Sequence, residues 1–226
     1  MENENLCAII YAMIIFPAKK HKRSARTAQK ERYMKFDCIA STNTGIDFGV
    51  KAGNKKIVFI KAGLGGNLFG YDDKYLKIAH RLNERYGCSI ISASNPHDGK
   101  LHVASDKAII EAYVKENGIE SPELYFFGHS NGGIKGLQLA TELTFRKMLL
   151  VNMPLMIDFH KTKKYLSIIP DTKITFVYGE LDPSYSYIPF FEGKFDNLDI
   201  LKFPGADHNF AGLTDRFISL PDCLME

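Results

Sequence analysis

The sequence predicts an open α/β sheet of eight mostly parallel strands, with helices on both faces and no substantial cap domain. Three observations carry that reading. Eight short runs of apolar, β-branched and aromatic residues are each bounded by turn residues. After the third run the strands alternate with segments of helical periodicity, which calls for parallel strands joined by right-handed crossovers. Finally, 226 residues at 45% hydrophobic suffice for one sizeable core and fall short of two.

The strands are expected near Lys35 to Ser41, Ile46 to Lys51, Ile57 to Lys61, Ser89 to Ala93, Leu124 to Phe127, Met148 to Asn152, Ile174 to Tyr178 and Leu198 to Phe203. Asn43-Thr44-Gly45 joins the first two, and Gly53-Asn54 joins the second and third. Linkers this short predict antiparallel hairpins at both places. A helix over Asp72 to Tyr86 carries Tyr75, Leu76, Ala79, Leu82 and Tyr86 on one face and is stopped by Gly87. Ser105 is placed to cap a second helix running to Asn117, with Ile109, Ala112 and Tyr113 inward. A third helix is expected from Asn131 to about Leu143, and a last one over Gly212 to Ser219. Between the sixth and seventh strands, Met153 to Lys173 leaves room for one helix and not for a cap.

Gly128-His129-Ser130-Asn131-Gly132 follows the apolar run Leu124 to Phe127 directly. A G-x-S-x-G frame between a strand and a helix describes a sharp turn in which flanking glycines make room for a strained backbone and the serine hydroxyl stands exposed. The same turn leaves the Asn131 backbone N–H at a helix start, where it can face a developing oxyanion.

Taken from about Met34 onward, the chain resembles the α/β-hydrolase fold. In that family the nucleophile follows the fifth strand, the acid usually the seventh and the histidine the eighth. Ser130 follows the fifth strand here. Asp182 follows the seventh in Tyr178-Gly179-Glu180-Leu181-Asp182-Pro183, and His208 follows the eighth in Gly205-Ala206-Asp207-His208-Asn209-Phe210. The chain order Ser, Asp, His is that of this fold. Lys61-Ala62-Gly63-Leu64-Gly65-Gly66-Asn67, after the third strand, resembles the family's oxyanion loop, with Gly63 matching its glycine and Leu64 offering a second N–H. It departs at Ala62, where many members carry histidine. The resemblance implies a serine hydrolase acting on a small acyl ester, thioester or amide, with Ser130, Asp182 and His208 catalytic and Leu64 and Asn131 forming the oxyanion hole. An acyltransferase, a carbon–carbon hydrolase or a non-catalytic ligand-binding member of the fold would carry the same residues.

Several residues compete for these roles. Asp158, after the sixth strand, is the rival acid, since some members take theirs there; Glu180 is a more distant one. His129 is expected to pack beside its strand, and Asp207 to be a solvated turn residue. His97 and Asp98 are expected to build the turn after the fourth strand, and Tyr185, Tyr187, Phe190 and Phe191 either to wall an acyl pocket or to pack on the sheet.

Neither cofactor nor metal is expected. Gly65-Gly66 lacks both the G-x-G-x-x-G pattern and a Walker Gly-Lys-Ser/Thr ending, and no second cluster completes His97, Asp98 and His102 as ligands. The net charge of +3 is concentrated at one end: residues 1 to 33 hold seven of the 29 basic residues and three of the 26 acidic ones. That leaves 22 basic against 23 acidic residues over the rest, a near-neutral surface that argues against nucleic acid as a partner. Residues 1 to 33 are expected to be an extension outside the fold, with the functional chain starting at Met34. Leu6 to Ala18 is too short an apolar run to span a bilayer. Four cysteines without ligand spacing predict reduced thiols and a cytoplasmic location.

Overall fold

The computed structural model describes residues 35–98 and 102–226, so the expectation about residues 1 to 33 lies outside the described residues. The eight strands are β1 (Cys38–Ser41), β2 (Asp47–Lys51), β3 (Asn54–Lys61), β4 (Cys88–Ala93), β5 (Glu123–His129), β6 (Lys147–Val151), β7 (Lys173–Gly179) and β8 (Leu198–Phe203). They form one sheet in the order β1-β2-β4-β3-β5-β6-β7-β8. β2 runs antiparallel to both its neighbours, and every pairing from β4 onward is parallel.

The expected β2–β3 hairpin does not form. β2 pairs with β4, and β3 lies on β4's other side. The short link steps across the start of β4 instead of folding back. A Cβ at Gly53 would come within 2.4 Å of the Cys88 and Gly87 backbone, so only glycine passes there, and Asn54 N–H donates to Gly87 O at 2.7 Å. From α1 (Lys74–Tyr86), the Asn83 amide donates to both Ala52 O and Cys88 O and holds the crossing down. Length alone made the link look like a turn; tertiary contact decided otherwise.

The remaining helices are α2 (Val103–Glu116), α3 (Asn131–Leu139), α4 (Phe159–Ile168) and α5 (Thr214–Ser219). Ser105 lies inside α2 and does not cap it, its hydroxyl paired with that of Thr44 at 2.9 Å. α3 ends at Leu139, four residues short of the expected Leu143. α1 stops at Gly87, whose φ of 67° closes the helix in the left-handed region.

Adjacent side chains on the central strands feed opposite layers. Phe126 joins Phe59, Ile109, Ile134 and Leu137 under α2 and α3, while Phe127 joins Ile60, Tyr75, Leu76 and Phe217 under α1 and α5. This is why the inner strands read as continuous apolar runs. A buried ion pair interrupts the first layer: Lys61 Nζ, at the end of β3, donates to Asp106 Oδ1 at 2.7 Å and to Ser94 O at 2.8 Å. Burial lowers the Lys61 pKa and raises that of Asp106. Cys88 and Cys223 are free thiols, whereas Cys38 is disulfide-bonded, which departs from the reading of four reduced cysteines. Among the described residues no helix is long and apolar enough to cross a membrane.

Candidate active site

Ser130 stands between β5 and α3 with φ 54° and ψ −129°, a region in which a side chain is strained and which the surroundings must enforce. They do so through two glycines that a Cβ would expel. At Gly128 it would meet the Gly132 and Gly133 backbone at 2.8 Å, and at Gly132 it would meet Lys61 O at 2.3 Å and Ala62 O at 2.6 Å. The turn is thereby docked against the end of β3. Ser130 N–H donates to Val151 O at 2.8 Å, fixing it to β6 as well.

His208 comes to the serine from the loop after β8. Ser130 Oγ lies 3.0 Å from His208 Nε2, and His208 Nδ1 lies 2.5 Å from Asp182 Oδ2. The Asp182 side chain is 2% exposed, and its other oxygen accepts the Ser184 N–H at 2.7 Å. That arrangement makes Nδ1 the donor and leaves Nε2 to accept from the serine. Asp158 is elsewhere: it sits at the start of α4 and pairs with Lys161 at 2.9 Å. Glu180 accepts the Gly205 N–H at 2.9 Å. The structure thus brings Ser130, His208 and Asp182 into one hydrogen-bonded chain and leaves both rival acids out of it.

Four residues that sequence reasoning did not assign hold this chain in place. Asn152, fully buried at the end of β6, donates through Nδ2 to Asp207 O and His208 O at 3.1 and 2.9 Å and accepts the Gly179 N–H at 2.9 Å. His129 Nε2 donates to the same His208 carbonyl at 2.9 Å, and its Nδ1 accepts from the Tyr75 hydroxyl at 3.2 Å. Burial, with the Lys74 charge adding to it, lowers the His129 pKa to about 3. The imidazole is therefore neutral and acts as a strut. Asp207 is the turn residue it was expected to be, its Oδ1 accepting the N–H groups of Asn209 and Ala211 within the histidine loop; the Tyr75 hydroxyl is the third support.

The fourth is Asn95, 1% exposed. Its Nδ2 donates to Ala62 O and to Asn131 Oδ1, both at 3.0 Å, while its backbone exchanges hydrogen bonds with Gly65 and Gly66. One side chain thus braces the loop after β3 to the residue after the serine. Within that loop Gly63 lies against Ser130: a Cβ there would stand 3.2 Å from the serine Cβ. Neither the Leu64 nor the Asn131 N–H has a partner among the described residues, and both belong to segments packed on Ser130. Leu64 is half exposed, at 52%. A polar residue closing an apolar strand at the carboxyl edge of a parallel sheet is the signal that could have flagged both Asn95 and Asn152.

An open cleft of about 480 Å³ runs past the serine, lined by Gly63 to Asn67, Gly70, Tyr71, Lys74, Tyr75, His129, Ser130, His208 and Asn209. Tyr185, Tyr187, Phe190 and Phe191 do not line it. Three of these aromatic side chains contact Phe159 of α4, so this cluster packs between elements. Asp98 pairs with His102 at 2.9 Å, and no group of three or more His, Cys, Asp or Glu among the described residues is placed to hold a metal ion.

No protein-family model matches the chain, and no curated protein matches it in sequence. Solved structures do match in shape. Est1E from Butyrivibrio proteoclasticus superposes with a TM-score of 0.64 at 15% identity, over 83% of this chain and 96% of that one. An alpha-beta serine hydrolase homologue from Coxiella burnetii gives 0.62 at 14%, over 81% and 93%. XC6422 from Xanthomonas campestris, described as an a/b serine hydrolase without lid, gives 0.60 at 15%, over 83% and 92%. The strand order, the strained serine between β5 and α3, and these superpositions agree: the chain has the α/β-hydrolase fold.

Proposed function

We propose that the protein is a serine hydrolase that cleaves small acyl esters through an acyl-enzyme. The observation that carries this reading is the hydrogen-bonded chain from Ser130 Oγ through His208 to buried Asp182. In the first step His208 Nε2 takes the serine proton as Oγ attacks the acyl carbonyl, and Asp182 stabilises the resulting imidazolium. The tetrahedral oxyanion is received by the N–H groups of Leu64 and Asn131, which await an acceptor. Collapse expels the alcohol, protonated by His208. Water, activated by the same nitrogen, then releases the acid.

Substrate size follows from the access route. The segment between β6 and β7 is occupied by α4 alone, and among the described residues nothing resembling a cap covers the cleft. Short-acyl substrates suit such a site better than long chains, which need an apolar tunnel. The test is labelling of the full chain with a fluorophosphonate probe and location of the adduct by peptide mass spectrometry, followed by a screen of esters of graded acyl length. Labelling at Ser130 that vanishes in Ser130→Ala is expected. An unlabelled wild type, or an adduct on another serine, would refute the reading.

A further inference from the structure

Lys74 opens α1 on the wall of the Ser130 cleft, yet it takes no part in the hydrogen-bonded chain. It is 8% exposed. Its stem packs on Gly70, where a Cβ would stand 2.8 Å from Lys74 Cγ. Its ammonium lies 4.4 Å from the centre of the Phe217 ring and 5.5 Å from that of Tyr75. Lys61, likewise deeply buried, has Asp106 at 2.7 Å. Lys74 makes neither an ion pair nor a hydrogen bond among the described residues. Aromatic faces attract a cation but satisfy none of its three donors. An amine this buried, with no carboxylate in ion-pair contact among the described residues and Asp207 acting on it only at longer range, is an expensive feature unless something arrives to meet it.

The surroundings show where that something would sit. A second cavity of about 500 Å³, lined by Asp72, Phe210, Gly212, Thr214 and Phe217 among others, shares Tyr71, Lys74 and Asn209 with the Ser130 cleft. The ammonium therefore stands where two cavities meet, one holding the serine. Burial lowers its pKa to about 8, against the opposing influence of Asp207, so at pH 7 it is largely protonated and remains an anion receptor. With the neighbouring imidazole of His129 held neutral, the charge on Lys74 is the positive one that a substrate meets beside Ser130.

We infer that Lys74 is a specificity-determining residue that receives a carboxylate, and that the substrates are short esters bearing a free carboxylate on one side of the scissile bond. This rests on the hydrolase reading above. It adds a substrate class that the hydrogen-bonded chain by itself does not select.

The experiment uses the purified full chain in a pH-stat at pH 7 with two matched pairs of esters. Monomethyl glutarate against methyl valerate puts the carboxylate on the acyl side, and 3-acetoxypropanoate against propyl acetate puts it on the alcohol side. In one pair kcat/KM should favour the carboxylate ester by about tenfold to a hundredfold, the range for a hydrogen bond to a charged group. Lys74→Met should erase that ratio, and Lys74→Arg should keep it. Equal rates within both pairs, or a preference that survives in Lys74→Met, would overturn the inference while leaving the hydrolase reading intact. Calorimetric titration of monomethyl glutarate into Ser130→Ala, with and without Lys74→Met, tests the receptor without turnover. Saturable binding that depends on Lys74 is expected. If it is found although the wild type cleaves no ester, the hydrolase reading fails and the anion site stands; absence of binding in Ser130→Ala overturns the site.

Discussion

Replacing Asp182 by asparagine changes one atom pair, and the structure dictates how the new amide must turn. Oδ1 accepts the Ser184 N–H at 2.7 Å, so the asparagine must keep its oxygen there. Its NH2 then faces His208 Nδ1, which in the wild type donates to Oδ2 at 2.5 Å. Two donors cannot share that contact, and the imidazole responds by moving its proton to Nε2. That nitrogen lies 3.0 Å from Ser130 Oγ and, once protonated, can no longer take the serine proton. Shape and volume are preserved, so the loss is one of tautomer. It should reach about 10⁴ in kcat, or about 5.5 kcal/mol of transition-state stabilisation, by analogy with other such triads. The assay is steady-state hydrolysis of a short acyl ester, with thermal melting to verify the fold. Asp158→Asn serves as the control: it weakens a half-buried pairing with Lys161, outside the hydrogen-bonded chain, and should slow turnover by about threefold at most. A larger loss in Asp158→Asn than in Asp182→Asn would refute the reasoning.

Four further outcomes are expected. Asn152→Ala leaves the buried Gly179 N–H without its acceptor and the His208 carbonyl with one donor in place of two; stability should fall by about 1–3 kcal/mol and kcat by about tenfold to a hundredfold, read by denaturant melts and kinetics. Gly132→Ala forces a methyl to within 2.3 Å of Lys61 O, a backbone atom that cannot swing aside, so melting temperature and kcat should fall together; an unchanged kcat would mean that the turn is not docked as described. Lys74→Met removes a buried charge whose folded pKa of about 8 lies below the unfolded value. Below pH 8 the wild type carries the desolvation penalty and the variant should be more stable, by about 1–2 kcal/mol; the gap should close as pH rises from 8 toward 10.5, because only the unfolded lysine still binds its proton there. Esters with acetyl to butyryl groups should be cleaved with higher kcat/KM than emulsified long-chain triglycerides, and the reverse preference would contradict the open cleft.

Much of the fold was legible because it is written locally. Each strand is a short apolar run closed by turn residues, and the G-x-S-x-G pentapeptide names its own strand, turn and helix. The order of β3 and β4 was not legible, since it depends on Gly53 meeting Gly87 and Cys88, residues more than thirty positions away. Ser105 failed as a cap for a similar reason: a hydroxyl from the β1–β2 turn claims it. At the candidate site, Ser130, Asp182 and His208 were singled out by their positions after three strands, and the structure brings them into one hydrogen-bonded chain. Tyr75, Asn95, His129 and Asn152 were missed as supports because a brace is defined by what it spans, and each spans segments far apart in sequence.

The Asn95 brace bears on which parts of this surface are free to vary. Its amide grips Ala62 O and Asn131 Oδ1 at once, so the two segments that offer N–H groups beside Ser130 move as a single body. The loop after β3 takes its shape from beneath, through backbone atoms and the fully buried methyl of Ala62. Leu64 and Tyr71, exposed at its outer side, are thereby released from structural duty, whereas Asn67 is not, since its Oδ1 accepts the Phe69 and Gly70 N–H groups. Changes at the first two can retune which molecules enter while the spacing between serine, imidazole and N–H donors stays as the sheet sets it.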